Sequence, residues 1–289
     1  MTDSLYTIKD TPDRGRGMFA TQDIKRGTCV ISESPLLYIS QYSMAENLAA
    51  VEALSKKNKK SFFSLYNAHA DLGVPQDFGI IRTNALPRGA DSCEGAVYRV
   101  ISRINHSCVP NVAHSWSPKT KKENVYAIKD IPAGSEILTS YLPRLMTRVE
   151  RQKALAEFRF TCRCEVCNVE SSQEHDAAVE RIEVCTSLMV SCCTSNNPRK
   201  AIGYVHEILS LLDKIGEWRK TEYYYDGYQI YAMYCNYKLA KEWADLTLEA
   251  CRMEEGEDGE NYGHYLALSQ NPKGHELAGT RAYVHLPSA

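Results

Sequence analysis

Hydrophobic and polar positions change period three times along the chain. Residues 5–40 run in short β-rich stretches broken at Gly15, Gly17 and Lys25-Arg26-Gly27, the last just before Thr28-Cys29-Val30-Ile31. Short strands joined by tight turns predict an antiparallel, curled sheet. From Met44 to Asn67 the period lengthens, with Leu48, Val51, Leu54, Phe62, Leu65 and Tyr66 at helical offsets, which predicts a small helical insert at about 43–80. Strands return at 111–116 and 124–128 around a turn at 117–121. A Pro-Gly turn at 130–134 then feeds a strand expected to end at Tyr141. After Asn168, apolar residues step by three and four over Glu180–Met189, Ala201–Leu212, Thr221–Tyr237 and Ala240–Arg252, with breaks at Asn196-Asn197-Pro198 and from Gly256 to Gly259.

The pattern describes an α+β chain with a strand-rich first half and a helical second half. Boundaries follow at 1–145, 146–170 and 171–289. Tyr223, Tyr224, Tyr225, Tyr228, Tyr231, Tyr234 and Tyr237 make the third helical stretch aromatic on more than one side. Packing between helices accounts for such rings, and the alternative is that some of them line a peptide cleft. The Lys56-Lys57-Asn58-Lys59-Lys60 run reads as a solvated helix face.

Composition adds limits. The chain has 289 residues, 44% apolar and 24% charged, and a net charge of −2, so no basic field points to strong nucleic-acid binding. The opening Met1-Thr2-Asp3-Ser4-Leu5-Tyr6 is unlike a signal peptide and no run of eighteen apolar residues occurs. The expectation is an intracellular protein, in the cytoplasm or nucleus, with no membrane partner. Eleven cysteines without a secretory signal read as reduced thiols plus a metal site. Cys162-x-Cys164-x-x-Cys167 offers three thiolates and Cys108 a fourth, a set that closes a structural, four-coordinate zinc. The remaining seven cysteines have no ligand spacing and read as packing.

The cysteines follow four other motifs in order: Arg14-Gly15-Arg16-Gly17-Met18-Phe19-Ala20, Arg82-Thr83-Asn84-Ala85, Ile101-Ser102-Arg103-Ile104-Asn105-His106-Ser107-Cys108, and Gly134-Ser135-Glu136-Ile137-Leu138-Thr139-Ser140-Tyr141. In that order, over roughly residues 5–168, the chain resembles the SET-domain protein methyltransferases, nearest to the SMYD group and its fungal cousins that lack the zinc-finger insert. The resemblance implies a β-clip of short curled sheets with a pseudoknot, a helical insert, a zinc-binding segment after the strand-rich part, and a tetratricopeptide-like helical region at the C-terminal side. It implies S-adenosylmethionine as cofactor, contacted by Gly15, Arg16, Gly17, Asn84, Ser102, Asn105, His106, Tyr141 and Phe160. Leu86, Tyr98 and Phe158 would border a lysine channel, with zinc on Cys108, Cys162, Cys164 and Cys167.

Tyr141 is the expected catalytic residue. Methyl transfer to an amine is an in-line displacement, so the protein must align two groups, exclude water and favour a neutral amine, which a desolvated channel does. Tyr141 would orient the amine rather than act as a nucleophile. Three departures from the family pattern concern the acceptor: Phe158 where tyrosine is usual, Ser135 where an acidic residue is usual, and Arg99 where proline is typical. The expected partner is a lysine-containing protein, histone or not. Two rivals remain at this stage. In one, the cofactor pocket is repurposed for a small molecule, and in the other a noncatalytic scaffold binds a protein.

Overall fold

The computed structural model describes residues 4–12, 14–40, 42–89 and 92–288, except the side chains of 169–171. Met1–Asp3, part of the opening segment read above, lie outside the described residues. The chain forms two compact units, one of Met1–Pro143 with Gln152–Cys162, the other of Arg144–Arg151 with Arg163–Ala289.

The first unit holds strands β1 (Tyr6–Thr11), β2 (Gly15–Ala20), β3 (Cys29–Glu33), β4 (Leu37–Ser40), β5 (Leu86–Pro87), β6 (Glu94–Val97), β7 (Asn105–His106), β8 (Val112–Ser117), β9 (Lys122–Ala127) and β10 (Glu136–Thr139). They make three small sheets in the orders β1-β2-β10-β7, β3-β9-β8 and β4-β6-β5. Helices α1 (Met44–Glu52), α2 (Lys56–Phe62) and α3 (Gln76–Asn84) interrupt the strands. The hydroxyls of Ser43 and Ser55 accept the amides of Glu46 and Asn58, supplying the first orphan amides of α1 and α2 with partners.

β10 lies between β2 and β7 and pairs in parallel with β7, Leu138 opposite Asn105 and Thr139 opposite His106. Asn111 completes the enclosure. Its amide nitrogen donates to the Glu136 carbonyl at 2.9 Å and its oxygen accepts from the Leu138 amide at 2.8 Å, so one side chain substitutes for a neighbouring strand. The strand stops at Thr139, two residues short of the expected end, because Tyr141 makes its bonds to side-chain and carbonyl groups of the 104–106 segment. Met18, Ile24, Val30, Val112, Val125 and Ile137 build one apolar core under these sheets, and Leu37, Ile39, Val51, Phe62, Ile80 and Val97 a second beside the inserted helices.

After α4 (Arg148–Leu155), the second unit is a succession of helices, α5 (Val169–Thr194), α6 (Pro198–Lys214), α7 (Thr221–Met233), α8 (Tyr237–Glu255) and α9 (Tyr262–Gln270), each packed on the next. The expected single helix over Thr221–Tyr237 is broken. α7 ends at Met233, Cys235 adopts φ +59°, and the Asn236 amide donates to Tyr234 and Val284 carbonyls. Asn236 thereby satisfies backbone groups at the turn, an interaction that apolar periodicity does not encode. α9 was not expected, since its apolar residues form no clear stripe. Tyr228, Tyr231 and Tyr234 are core residues, at most 1% exposed, with hydroxyls donating to Pro272, Pro287 and Asn196 oxygens. Gly227 lets Trp243 of α8 approach α7, since a Cβ there would lie 2.1 Å from the indole.

Among the described residues no helix is long and apolar enough to cross a membrane.

One buried cluster makes stability depend on pH. Burial raises the Glu123 carboxyl to about 8, although the Tyr98 hydroxyl donates to it at 3.2 Å. His114, 3.7 Å away with both ring nitrogens sealed from solvent, is lowered to about 4 by burial. Glu123 keeps a proton in the fold that the unfolded chain loses, so its effect is a stability that falls as pH rises from the ordinary carboxylate range to 8. His114 acts oppositely between about pH 4 and 6.5 and is silent above. Glu123→Gln is therefore expected to flatten the decline in unfolding free energy between pH 6.5 and 8, whose slope in the wild type is at most about 1.4 kcal/mol per pH unit. Urea titrations of both proteins across that range measure it, and parallel curves would refute the assignment.

Candidate active site

The insertion of β10 gathers the motifs into one place. Asn105 points its amide nitrogen at Glu136 Oε1, 2.8 Å, and at the Arg16 carbonyl, 3.3 Å, while Arg14 Nη2 holds Glu136 Oε2 at 2.5 Å. Glu136 is only 11% exposed, and these partners satisfy its carboxylate oxygens. Gly17 makes the arrangement possible. A Cβ there would sit 2.5 Å from Glu136 Oε1 and 2.9 Å from Asn105 Nδ2. Gly15 serves differently: φ is +67°, nothing lies within 4 Å of a Cβ, and the backbone is open to an approaching ligand. Arg16 contributes its carbonyl to Asn105 and leaves its side chain 57% exposed.

Beside this lattice stands an aromatic group. The Tyr141 hydroxyl donates to the Ile104 carbonyl at 2.8 Å and its amide to His106 Nδ1 at 3.0 Å. The Tyr141 ring lies 4.9 Å from Phe158, 5.2 Å from His106 and 6.4 Å from Phe160, centroid to centroid. Arg159 between the two phenylalanines takes φ +58°, and its guanidinium is paired with Asp71 at 2.7 Å. The left-handed residue turns the chain so that both flanking rings meet Tyr141. Burial, with a smaller effect from the Glu136 charge, pushes the Tyr141 phenol well above its ordinary value, and Arg14 opposes this. The hydroxyl stays protonated and can orient a nitrogen. Ring faces grouped in this way suit a sulfonium or a methylated ammonium.

The four cysteines predicted as ligands also come together. The sulfurs of Cys108, Cys162, Cys164 and Cys167 all lie within 4.8 Å of one another, Cys108 and Cys162 at 3.9 Å. Tetrahedral zinc with bonds of about 2.3 Å requires sulfurs about 3.8 Å apart, so the set fits that ion and leaves no position open. Side chains of α4 hold the segment that carries three of them. Arg148 donates to the Cys167 carbonyl at 3.0 Å, Arg151 to Val166 at 2.6 Å, and Gln152 to Cys162 at 3.0 Å. Their spacing puts them on one helical face.

Other expected residues sit apart from the rings. Ser102 Oγ donates to the Asn84 carbonyl and accepts the Tyr98 amide, at 3.2 and 3.1 Å. Asn84 is buried, its amide nitrogen taken by the Tyr66 and Ile80 carbonyls. Leu86 pairs with Ala96 and packs on the sheet core. Tyr98 has no exposed surface and bonds Glu123, so it lies in the core and not on an open channel wall. An open cavity of about 420 Å³ lined by Phe78, Arg82, Ala156, Glu157 and Arg159, among others, includes none of the expected cofactor residues.

Sequence reasoning missed Arg14, Glu136, Glu33 and the α4 trio. Glu33 caps the turn leading to Asn105, its carboxylate accepting the amides of Arg99, Val100 and Ile101 at 2.9–3.2 Å. A proline at 99 could not donate there, so the departure at Arg99 adds a bond. Glu136 was visible, within a quoted motif; its role was not, because its partner Arg14 is 122 residues away.

Comparison with known proteins places these features. The SET domain family matches residues 15–142. The histone-lysine N-methyltransferase set5 of Schizosaccharomyces pombe is 30% identical over 280 residues, covering 95% of this chain and 86% of that protein. The protein-lysine N-trimethyltransferase SMYD5 of Gallus gallus is 38% identical over 101 residues, 31% of this chain and 24% of that protein. The N-lysine methyltransferase SMYD2 of the same species is 26% identical over 130 residues, 45% and 26% respectively.

Two outcomes are expected. Gly17→Ala should lower stability by about 1–3 kcal/mol, through the clash with Asn105 and Glu136, as read by urea denaturation; unchanged stability would mean that the lattice yields freely. Cys164→Ser should reduce zinc, measured by elemental analysis of purified protein, from one per chain to a trace.

Proposed function

The chain belongs to the SET-domain family and transfers a methyl group from S-adenosylmethionine to the ε-amine of a lysine in a protein, and we propose that this transfer is organised around Tyr141. The carrying observation is that Tyr141 is fastened at both ends by the segment bearing the Asn-His pair, its amide by His106 and its hydroxyl by Ile104. A phenol held so, and kept protonated by burial, directs an amine lone pair and takes no proton from it.

A lysine amine has an ordinary pKa near 10.4 and must be neutral to react. The Phe158 and Phe160 rings beside Tyr141 offer an apolar surface, which disfavours the ammonium of an amine placed against it. S-adenosylmethionine, when bound, supplies a methyl group on an electrophilic sulfonium. We assign its binding to the open backbone at Gly15, Arg16 and Gly17, to Asn105, whose nitrogen is fixed by Glu136, to the His106 segment and to Phe160. Ser102 and Asn84 support that wall through their mutual bond. Leu86 and Phe158 belong to the lysine side, with Tyr98 behind them in the core. Phe158 offers no hydroxyl to hold the amine or a water, so the amine is free to turn between successive transfers.

Zinc on the four thiols is structural, with no position for a reacting water. For the acceptor we propose a histone lysine, supported by the name of the fission-yeast relative that spans 95% of the chain. For location we propose the cell interior, cytoplasm or nucleus, since a cluster of four thiols suited to zinc belongs to a reducing compartment.

Tyr141→Phe should reduce kcat about 100-fold or more, with the S-adenosylmethionine Kd within about twofold of wild type by calorimetry. Tritiated-methyl transfer to core histones measures the first quantity. Wild-type turnover in the variant would remove Tyr141 from the role.

A further inference from the structure

We propose that the imidazole of His106 is a positioning residue that ties the thiolate of Cys108 to the backbone of Tyr141, so that metal retention and placement of the Tyr141 hydroxyl depend on one ring. The inference rests on the reading of Tyr141 and of the four thiols given above.

The geometry fixes the tautomer. Tyr141 N lies 3.0 Å from His106 Nδ1, and an amide can only donate, so Nδ1 carries no proton. A neutral ring then bears its hydrogen on Nε2, 3.3 Å from Cys108 Sγ. A donor aimed at sulfur is best matched by an anionic sulfur, which is the form a metal ligand takes. β7 ends at His106 and the chain bends at Cys108, which sets the Cys108 sulfur against the ring two residues back, while the Ser107 amide continues the pairing to the Thr139 carbonyl at 2.9 Å.

On the other side, Thr139 is the last ladder partner of β7. Two residues on, the Tyr141 amide has left the ladder, and the His106 ring supplies the acceptor that a further strand residue would have provided. His106 is 6% exposed, and its ring packs on Tyr141 and Phe160, at 5.2 and 5.8 Å. Little room remains for a water to replace either bond, and losing the ring would leave a backbone donor poorly satisfied.

Asparagine and glutamine separate the two halves. The asparagine amide oxygen occupies the Nδ1 position and can accept from Tyr141, whereas the glutamine amide nitrogen reaches the Nε2 position and can donate to Cys108. The readouts are zinc transfer to a chromogenic chelator and, separately, kcat and KM for S-adenosylmethionine. His106→Phe, which keeps a ring without nitrogens, should release zinc about 10-fold faster or more and lose more in kcat than it gains in KM. His106→Gln should slow zinc release again with kcat still low. His106→Asn should recover part of kcat with zinc release still fast.

On zinc-loaded wild type, a long-range proton–nitrogen correlation should show His106 protonated at Nε2 and bare at Nδ1, a readout independent of whether any variant folds. A proton on Nδ1, or a phenylalanine variant with wild-type zinc release, overturns the proposal. Wild type that holds zinc with the expected tautomer yet methylates no protein would overturn the methyl-transfer role and leave the linkage standing.

Discussion

The parallel pairing of β10 with the two-residue strand Asn105–His106 is the constraint on which the rest of the site depends. A pairing so short supplies few backbone bonds, and it is stabilised by what surrounds it: β2 on one edge, the Asn111 amide bracketing Glu136 and Leu138, and the Ser107 amide extending the ladder to Thr139. With β10 in that slot, Glu136 reaches Asn105 from one side of the strand and Tyr141 reaches His106 and Ile104 from its end. A one-residue slip in register would reverse which side chains of β10 face Asn105 and β2.

Carboxylates do much of the local work, each in a different way. Glu33 holds three consecutive amides before the turn at 101–103, Glu136 orients an amide side chain with help from Arg14, and Glu123 is buried beside a neutral histidine and prefers to stay protonated. The first two face several hydrogen-bond donors. The third receives the Tyr98 hydroxyl, and burial outweighs that bond. The same chemical group is thus a backbone cap, an orienting partner or a pH-sensitive load, depending on how many hydrogen-bond donors face it.

The segment carrying three of the cysteines is short and has little apolar content of its own. Its order comes from carbonyls held by Arg148, Arg151 and Gln152 and from thiols gathered with Cys108. Phe158, Arg159 and Phe160 precede it, and a single left-handed residue aims both rings at Tyr141. The unexpected arginine at 99 fits the same logic, since its amide is used where proline would have none.

Much was legible in the sequence alone. Periodicity located the hairpin around 117–121, the inserted helices and most helices of the second unit, because strand and helix periods are local properties; Gly15 and Gly17, read as breaks, lie inside β2. Motif order identified the family, and cysteine spacing named the four thiols that the fold brings within reach of one ion. The tertiary structure decided the rest. That Gly17 exists to admit Asn105 and Glu136, that Tyr98 is core, that His106 presents one nitrogen to sulfur and the other to an amide, and that Asn236 breaks an otherwise continuous helical pattern all involve partners brought together by folding. Such contacts leave no periodic trace in the residues that make them: the pattern of a chain reports which faces are buried, and only the closed structure determines which polar atoms meet there.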